Sequence, residues 1–288
     1  MAQTQSLKRR LKSVSNTKQI TKAMELVSAA KMRKVVAAAA EARAYSEATI
    51  SIVNRLVKSI EALHNPYFKT ADSKNKLYIV ISSDSGLAGA YNSNVFNLAN
   101  KNFREDIAKG KKPHVIAIGR KGAHHFSKSS AIELIADYEG FDDFPEANVF
   151  APILEVIKTG IEEGKYTSVD IIYTEFISSL NQKANILRLI PVEPPQEEAK
   201  QDDLVFEFEP SAEAVLDEAL RIYFESALRR TRIEAAASEH AMRMMSMNNA
   251  NRNAGDLIES LTLELNASRQ AAITQEMAEI IGGANAIA

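Results

Sequence analysis

The 288-residue sequence is 45% hydrophobic and 25% charged with a formal net charge of −2, a balance that supports a packed core and excludes a chain held open by its own charge. It has no cysteine and no tryptophan, which excludes disulfides, thiolate metal sites and a cysteine nucleophile. Every proline lies between Pro66 and Pro210 and the first glycine is Gly86, so an all-β fold, which needs turn signals about every 8–12 residues, is excluded as well.

Residues 4–64 read as one helix. Leu7, Leu11 and Val14 step by four and three, as do Ile20, Met24 and Val27, and Ile52, Leu56, Ile60 and Leu63 continue the pattern; such steps place side chains on one helical stripe. The run Ala37–Ala40 favours helix, and Asn65-Pro66 is the natural stop. At about 1.5 Å per residue, the helix would reach roughly 90 Å, longer than a small domain is wide. The longest apolar run, Val35–Ala40, is far short of the roughly 20 residues needed to cross a bilayer.

The middle of the chain changes character. The β-rich runs Leu77–Ile81, Val115–Ile118 and Val169–Tyr173 alternate with helical patterns near 92–109, 120–129 and 148–163, and Ile186–Ile190 and Leu204–Phe208 are further strand candidates. This rhythm predicts a small α/β domain with a largely parallel sheet. Residues 193–203 read as a polar, acidic connector.

Residues 211–281 read as a second long helix, opened by Pro210 and a capping Ser211. Ala237, Ala241, Met244, Asn248, Asn251, Gly255, Ile258 and Thr262 recur at close to the 3.5-residue period of a coiled coil. A lone amphipathic helix leaves its stripe uncovered, so the economical fold pairs the two chain ends as an antiparallel coiled coil. Gly255 falls on that stripe as a point of close helix approach. The methionines at 242, 244, 245 and 247 read as packing against the first helix, and Gly282-Gly283 as the point where the second helix frays. The domains expected are 1–65, 66–210 and 211–288.

Charge is unevenly placed. Residues 1–35 hold Lys8, Arg9, Arg10, Lys12, Lys18, Lys22, Lys31, Arg33 and Lys34 against Glu25 alone. Such a run suits an acidic partner, either nucleic acid or a protein surface; the stretch has no aromatic residue for base stacking. The five histidines form no ligand pattern, and the segment SSDSGLAGAYN at 82–92 follows the strongest strand without the spacing of a dinucleotide or P-loop signature. The candidate functions are therefore an interaction protein built on a helical rod and a nucleotide-binding α/β protein with a helical-rod scaffold.

Residues 8–34, the 82–92 segment, GRKG at 119–122, and residues 237–253 and 266–285 together resemble the gamma subunit of bacterial F-type ATP synthases, in order and over nearly the whole chain. The resemblance implies a long antiparallel coiled coil of N- and C-terminal helices with an inserted Rossmann-like α/β domain. It implies a noncatalytic rotor shaft, without cofactor, metal or nucleic acid, that couples proton-driven rotation of a membrane c ring to ATP synthesis by three alpha and three beta subunits. By the same resemblance Arg269, Gln270 and Thr274 meet the beta catch loop, and Lys8, Arg9, Arg10, Lys22 and Met24 face alpha and beta. Phe206, Glu207, Phe208 and Glu209 form a foot on epsilon and the c ring. The few residues before Lys8 and the missing cysteines imply a bacterial protein at the cytoplasmic face of the plasma membrane, attached through the c ring and without redox control.

Overall fold

The computed structural model describes residues 2–59, 65–192 and 208–287. They fall into two compact units: residues 30–242, and residues 1–29 with 243–288.

In the larger unit, five strands form one sheet: β1 (Asn75–Ile81), β2 (Lys112–Ile118), β3 (Glu133–Tyr138), β4 (Tyr166–Phe176) and β5 (Gln182–Ile190). Their spatial order is β3-β2-β1-β4-β5. The pairs β1–β2, β1–β4 and β2–β3 are parallel, and β5 returns antiparallel on β4. Central β1 is buried on both faces from Leu77 to Ile81, which explains its unbroken apolar run. β3 is absent from the sequence reading. It is a half-buried edge strand whose charged Glu133 and Asp137 interrupt the apolar signal.

Helices cover both faces. On one, Val95, Ala99 and Phe103 of α2 (Tyr91–Ala108) and Phe126 of α3 (Arg120–Phe126) pack on Tyr78, Val80, Val115 and Ala117. On the other, Ile153, Ile157 and Ile161 of α4 (Ala151–Glu162) join Ile79, Ile81 and Ile116, together with Leu216, Leu220, Phe224 and Leu228 of α5 (Ala212–Ile287) and Val53 of α1 (Ala2–Ser59). The βα turn after β2 requires Gly119: its φ is +101° and a Cβ there would lie 2.3 Å from the Ser82 carbonyl oxygen.

The smaller unit is a pair of antiparallel helix segments, residues 2–29 of α1 and 243–287 of α5. Thr4 Oγ1 lies 3.2 Å from Ser268 Oγ, and Asn248 Nδ2 donates to Glu25 Oε1 at 3.2 Å, so one segment runs opposite to the other. Along α1 the inward positions are Thr4, Leu7, Leu11, Val14, Lys18, Thr21, Glu25 and Ser28, a strict heptad of alternating three- and four-residue steps.

This corrects the predicted stripe. Ile20 and Val27 are 60% and 57% exposed, while Thr21 and Ser28 are buried. The seam takes small and polar residues where the sequence offers bulkier apolar ones, because the 3.5-residue period carries it past Ile20 and Val27. On α5 the expected stripe is buried or half-buried at Ala237, Ala241, Met244, Asn251, Gly255 and Ile258, but at two positions it lies one residue off: Met247 and Leu261 are buried where Asn248 and Thr262 are exposed. Gly255 does face the partner helix, since a Cβ there would sit 3.1 Å from Lys18 Nζ. The helix also runs through Gly282-Gly283 to Ile287, past the point expected to fray. The strand candidate at 204–208 and the connector at 193–203 lie outside the described residues, apart from Phe208.

Candidate functional site

The first candidate surface is the outside of the two-helix unit. Lys8, Arg9 and Arg10 lie on exposed positions of α1, off the inward heptad. Arg269 and Gln270 are exposed on α5, and the exposed Thr274 donates its hydroxyl hydrogen bond to the Gln270 carbonyl at 2.9 Å. The antiparallel pairing brings Lys8 and Arg269 to one cleft of about 420 Å³, lined also by Thr4, Gln5, Ala272, Ile273 and Glu276. Residues 261 positions apart in sequence thus share a single rim.

Two of the expected contact residues sit differently. Lys22 is exposed but forms an ion pair with Glu25 at 3.0 Å, and that hydrogen bond, together with the one from Asn248, outweighs desolvation and lowers the Glu25 carboxyl. Met24 is half-buried. The outward apolar positions beside them are Ile20, Leu26 and Val27, and on α5 Leu257, Leu263, Ile273 and Met277. Sequence reasoning assigned Ile20 and Val27 to the seam; the one signal that separates them is the strict heptad, which skips both.

Of the expected foot, Phe206 and Glu207 lie outside the described residues. Phe208 is half-buried and Glu209 exposed, directly before α5.

The loop after β1 lies at the carboxyl end of the central strand, where open α/β sheets form ligand crevices. Here its polar groups are consumed by the fold. Asp84 accepts hydrogen bonds from the main-chain N–H of Arg120 at 2.9 Å and of Gly140 at 3.1 Å. Ser82 Oγ accepts from Gly122 N at 2.8 Å, and Asn92 bonds both the N–H and the hydroxyl of Ser83. These residues tie three loops together, which is the packing role such a turn has without a ligand. Among the described residues no group of three His, Cys, Asp or Glu could hold a metal ion.

A third polar constellation was not foreseen. In the larger unit, α5 holds the 141–145 loop: Arg229 Nε donates to the Pro145 carbonyl at 3.2 Å, Arg232 to the Phe141 carbonyl at 2.8 Å, and His240 Nε2 lies 3.0 Å from Asp143 Oδ2. Lys31 of α1 reaches the same Asp143 oxygen at 3.3 Å. Burial acts to raise the Asp143 carboxyl, but His240 and Lys31 outweigh it and hold it down to about 2. Nearly two turns before His240, Glu234, its side chain only 1% exposed, receives Arg43 of α1 and Arg230 at 3.0 Å each. Partners separated by 97 and 191 residues leave no local sequence signal. These contacts fix a body loop and both helices to one another.

The family model described as ATP synthase matches residues 3–287. The chain is 39% identical over 287 residues to the ATP synthase gamma chain of Pelotomaculum thermopropionicum and 38% identical over 287 residues to that of Moorella thermoacetica; each alignment covers 100% of both chains. It is similar to a chain in the structure of Euglena gracilis mitochondrial ATP synthase, OSCP/F1/c-ring, rotational state 3, with a TM-score of 0.69 and 19% identity over 99% of this chain and 95% of that one. The rotor structure from the same enzyme gives a TM-score of 0.65 at 17% identity, covering 94% and 99%. At these identities the solved structures establish the fold. With full-length relatives near 40% identity and a matching family model, the chain belongs to the ATP synthase gamma-chain family.

Proposed function

We propose that the two-helix unit is the bearing end of a rotor, touching alpha and beta subunits through Lys8, Arg9, Arg10 and Lys22 of α1 and Arg269, Gln270 and Thr274 of α5. Met24 completes that surface at its edge, and Phe206–Glu209 forms the foot toward epsilon and the c ring. A member of this family is a noncatalytic subunit: it couples rotation of the membrane ring to ATP synthesis in the alpha and beta subunits. The three-part division into 1–65, 66–210 and 211–288 then separates two helices that carry rotation from the body that receives it.

The observation that carries this reading is the seam. Lys18, Thr21, Glu25 and Ser28 occupy inward positions while Ile20, Leu26 and Val27 face outward. A helix pair that hides small polar residues and exposes branched apolar ones presents its apolar surface to a partner. The basic residues around it, nine against one acid over residues 1–35, suit an acidic bore. No helix of the described residues is long and apolar enough to cross a membrane. The rotor reading places the chain at the cytoplasmic face of a bacterial plasma membrane, attached through the c ring.

Reconstitution tests this reading. The purified chain should hydrolyse no ATP, and adding it to alpha and beta subunits should restore coupled ATPase activity. Turnover of ATP by the isolated chain would overturn it.

A further inference from the structure

The larger unit has a cleft of about 730 Å³ between α4 and the first turns of α5, the part of α5 that Phe208 and Glu209 lead into. Two helix faces form its walls. α4 contributes Ala151, Leu154, Glu155, Lys158 and Glu162; α5 contributes Ala214, Asp217, Arg221, Phe224 and Glu225. Each set recurs mainly at three- and four-residue steps over about three turns, so each wall of the cleft runs for roughly 16 Å. Leu154, Leu220 and Phe224 line it with apolar surface.

The rim is acidic. Arg221 is spent on Glu218 and Glu225, at 2.6 and 3.0 Å. Among the described residues Glu155, Glu162 and Asp217 form no ion pair, Asp217 having only a long 3.5 Å contact from Asn65 Nδ2. Lys158 is the one remaining basic residue of the lining.

Tyr67 supplies an independent observation. It lines the cleft, is only 9% exposed, and its hydroxyl makes no hydrogen bond among the described residues. Burial, with Glu162, Asp217 and Glu155 facing it, pushes that hydroxyl up to about 12. A phenol in the cleft wall whose hydroxyl bonds no group among the described residues, set beside carboxylates, is open to a donor from an incoming partner.

We propose that this furrow is a docking groove for an amphipathic helix of another protein, about three turns long, with apolar anchors on one edge and lysine or arginine flanking them. Two helical walls with an apolar floor can receive a third helix by ridge-into-groove packing. The incoming cations meet Glu155, Glu162 and Asp217, and one donor reaches the Tyr67 hydroxyl oxygen. This goes beyond the rotor reading and does not depend on it.

The test uses the full-length chain and a fluorescent 14-residue helical peptide carrying leucines on one face, lysines beside them and a photoreactive group. Its counterpart has glutamate in place of lysine. The lysine peptide should bind saturably and cross-link to 151–162 and 212–225. The triple variant Glu155→Gln, Glu162→Gln, Asp217→Asn should weaken it about tenfold, and Tyr67→Phe about threefold, with unchanged circular dichroism. Equal binding of both peptides, cross-links elsewhere, no binding, or wild-type affinity in the triple variant would each overturn the proposal. So would self-association of the chain that the triple variant abolishes, because the occupant would then be a second copy.

Discussion

Asn251 Nδ2 donates to the main-chain carbonyl oxygen of Lys18 at 2.9 Å, joining helix segments whose residues lie 233 positions apart in sequence. The bond crosses the seam of the two-helix unit one turn from Gly255, against which the Lys18 side chain lies. The polar side chain bonds across the seam, and the missing Cβ leaves room for the end of the Lys18 side chain.

Gly255→Ala should therefore be tolerated. The added methyl meets only the far end of a flexible lysine, at 3.1 Å, while helix propensity improves by about 1 kcal/mol. Thermal unfolding should show a gain of up to about 1 kcal/mol. Gly255→Leu should separate the helices instead, and a loss of stability relative to the alanine variant checks the contact.

Glu234 is the hub of the α1–α5 joint. Glu234→Ala leaves Arg43 and Arg230 facing each other without their shared ion-pair partner. Arg43 retains solvent access, so the cost should be about 2 kcal/mol, below the roughly 3–5 kcal/mol of a fully buried pair. Urea unfolding of the single variant and of Arg43→Ala/Glu234→Ala measures the coupling.

Asp143 makes the larger unit acid-sensitive. Its folded carboxyl is lowered to about 2 from an ordinary 3.8, so the stability it contributes is present above 3.8 and is lost as the pH falls from there toward 2. Asp143→Asn should cost about 1 kcal/mol at neutral pH, allowing for solvent screening, and should flatten the stability–pH curve in that window.

His114 acts in a higher window. Burial lowers its imidazole despite Glu133 nearby, and its Nδ1 is buried without a partner among the described residues. A folded value below the ordinary 6.5 means that the unfolded chain binds the proton more readily. This contribution is intact above 6.5 and weakens as the pH drops below it. In His114→Phe the stability loss on going from pH 7 to pH 5 should be smaller than in the wild type, as read by denaturant titration at both values.

Arg269→Ala and Gln270→Ala should each lower coupled ATPase in the reconstituted complex by about tenfold, with the circular dichroism of the isolated chain unchanged, because both side chains are exposed. Unfolding by either change would remove these residues from the partner-contact surface.

The two helices and four of the five strands were legible because each has a periodic or continuous apolar pattern. β3 was hidden by Glu133 and Asp137 on an edge strand. The seam was misread in its middle because Ile20 and Val27 look like core residues, whereas the 3.5-residue period carries the seam past both. Arg269 and Lys8 were singled out separately; their shared cleft follows only from the antiparallel pairing. The Asp143–His240 and Glu234–Arg43 pairs could not be seen, since nothing local distinguishes a charge that finds a partner 97 or 191 residues away.

The strict heptad of residues 4–28 has a mechanical corollary. A 3.5-residue period winds paired helices into a left-handed supercoil. Twisting such a pair further in its own sense tightens the contact between strands, and twisting against it loosens them. Polar seam residues such as Thr21 and Ser28 resist the loosening less than leucines would. The pair is thus a spring with handedness, stiffer under torque of one sign than of the other.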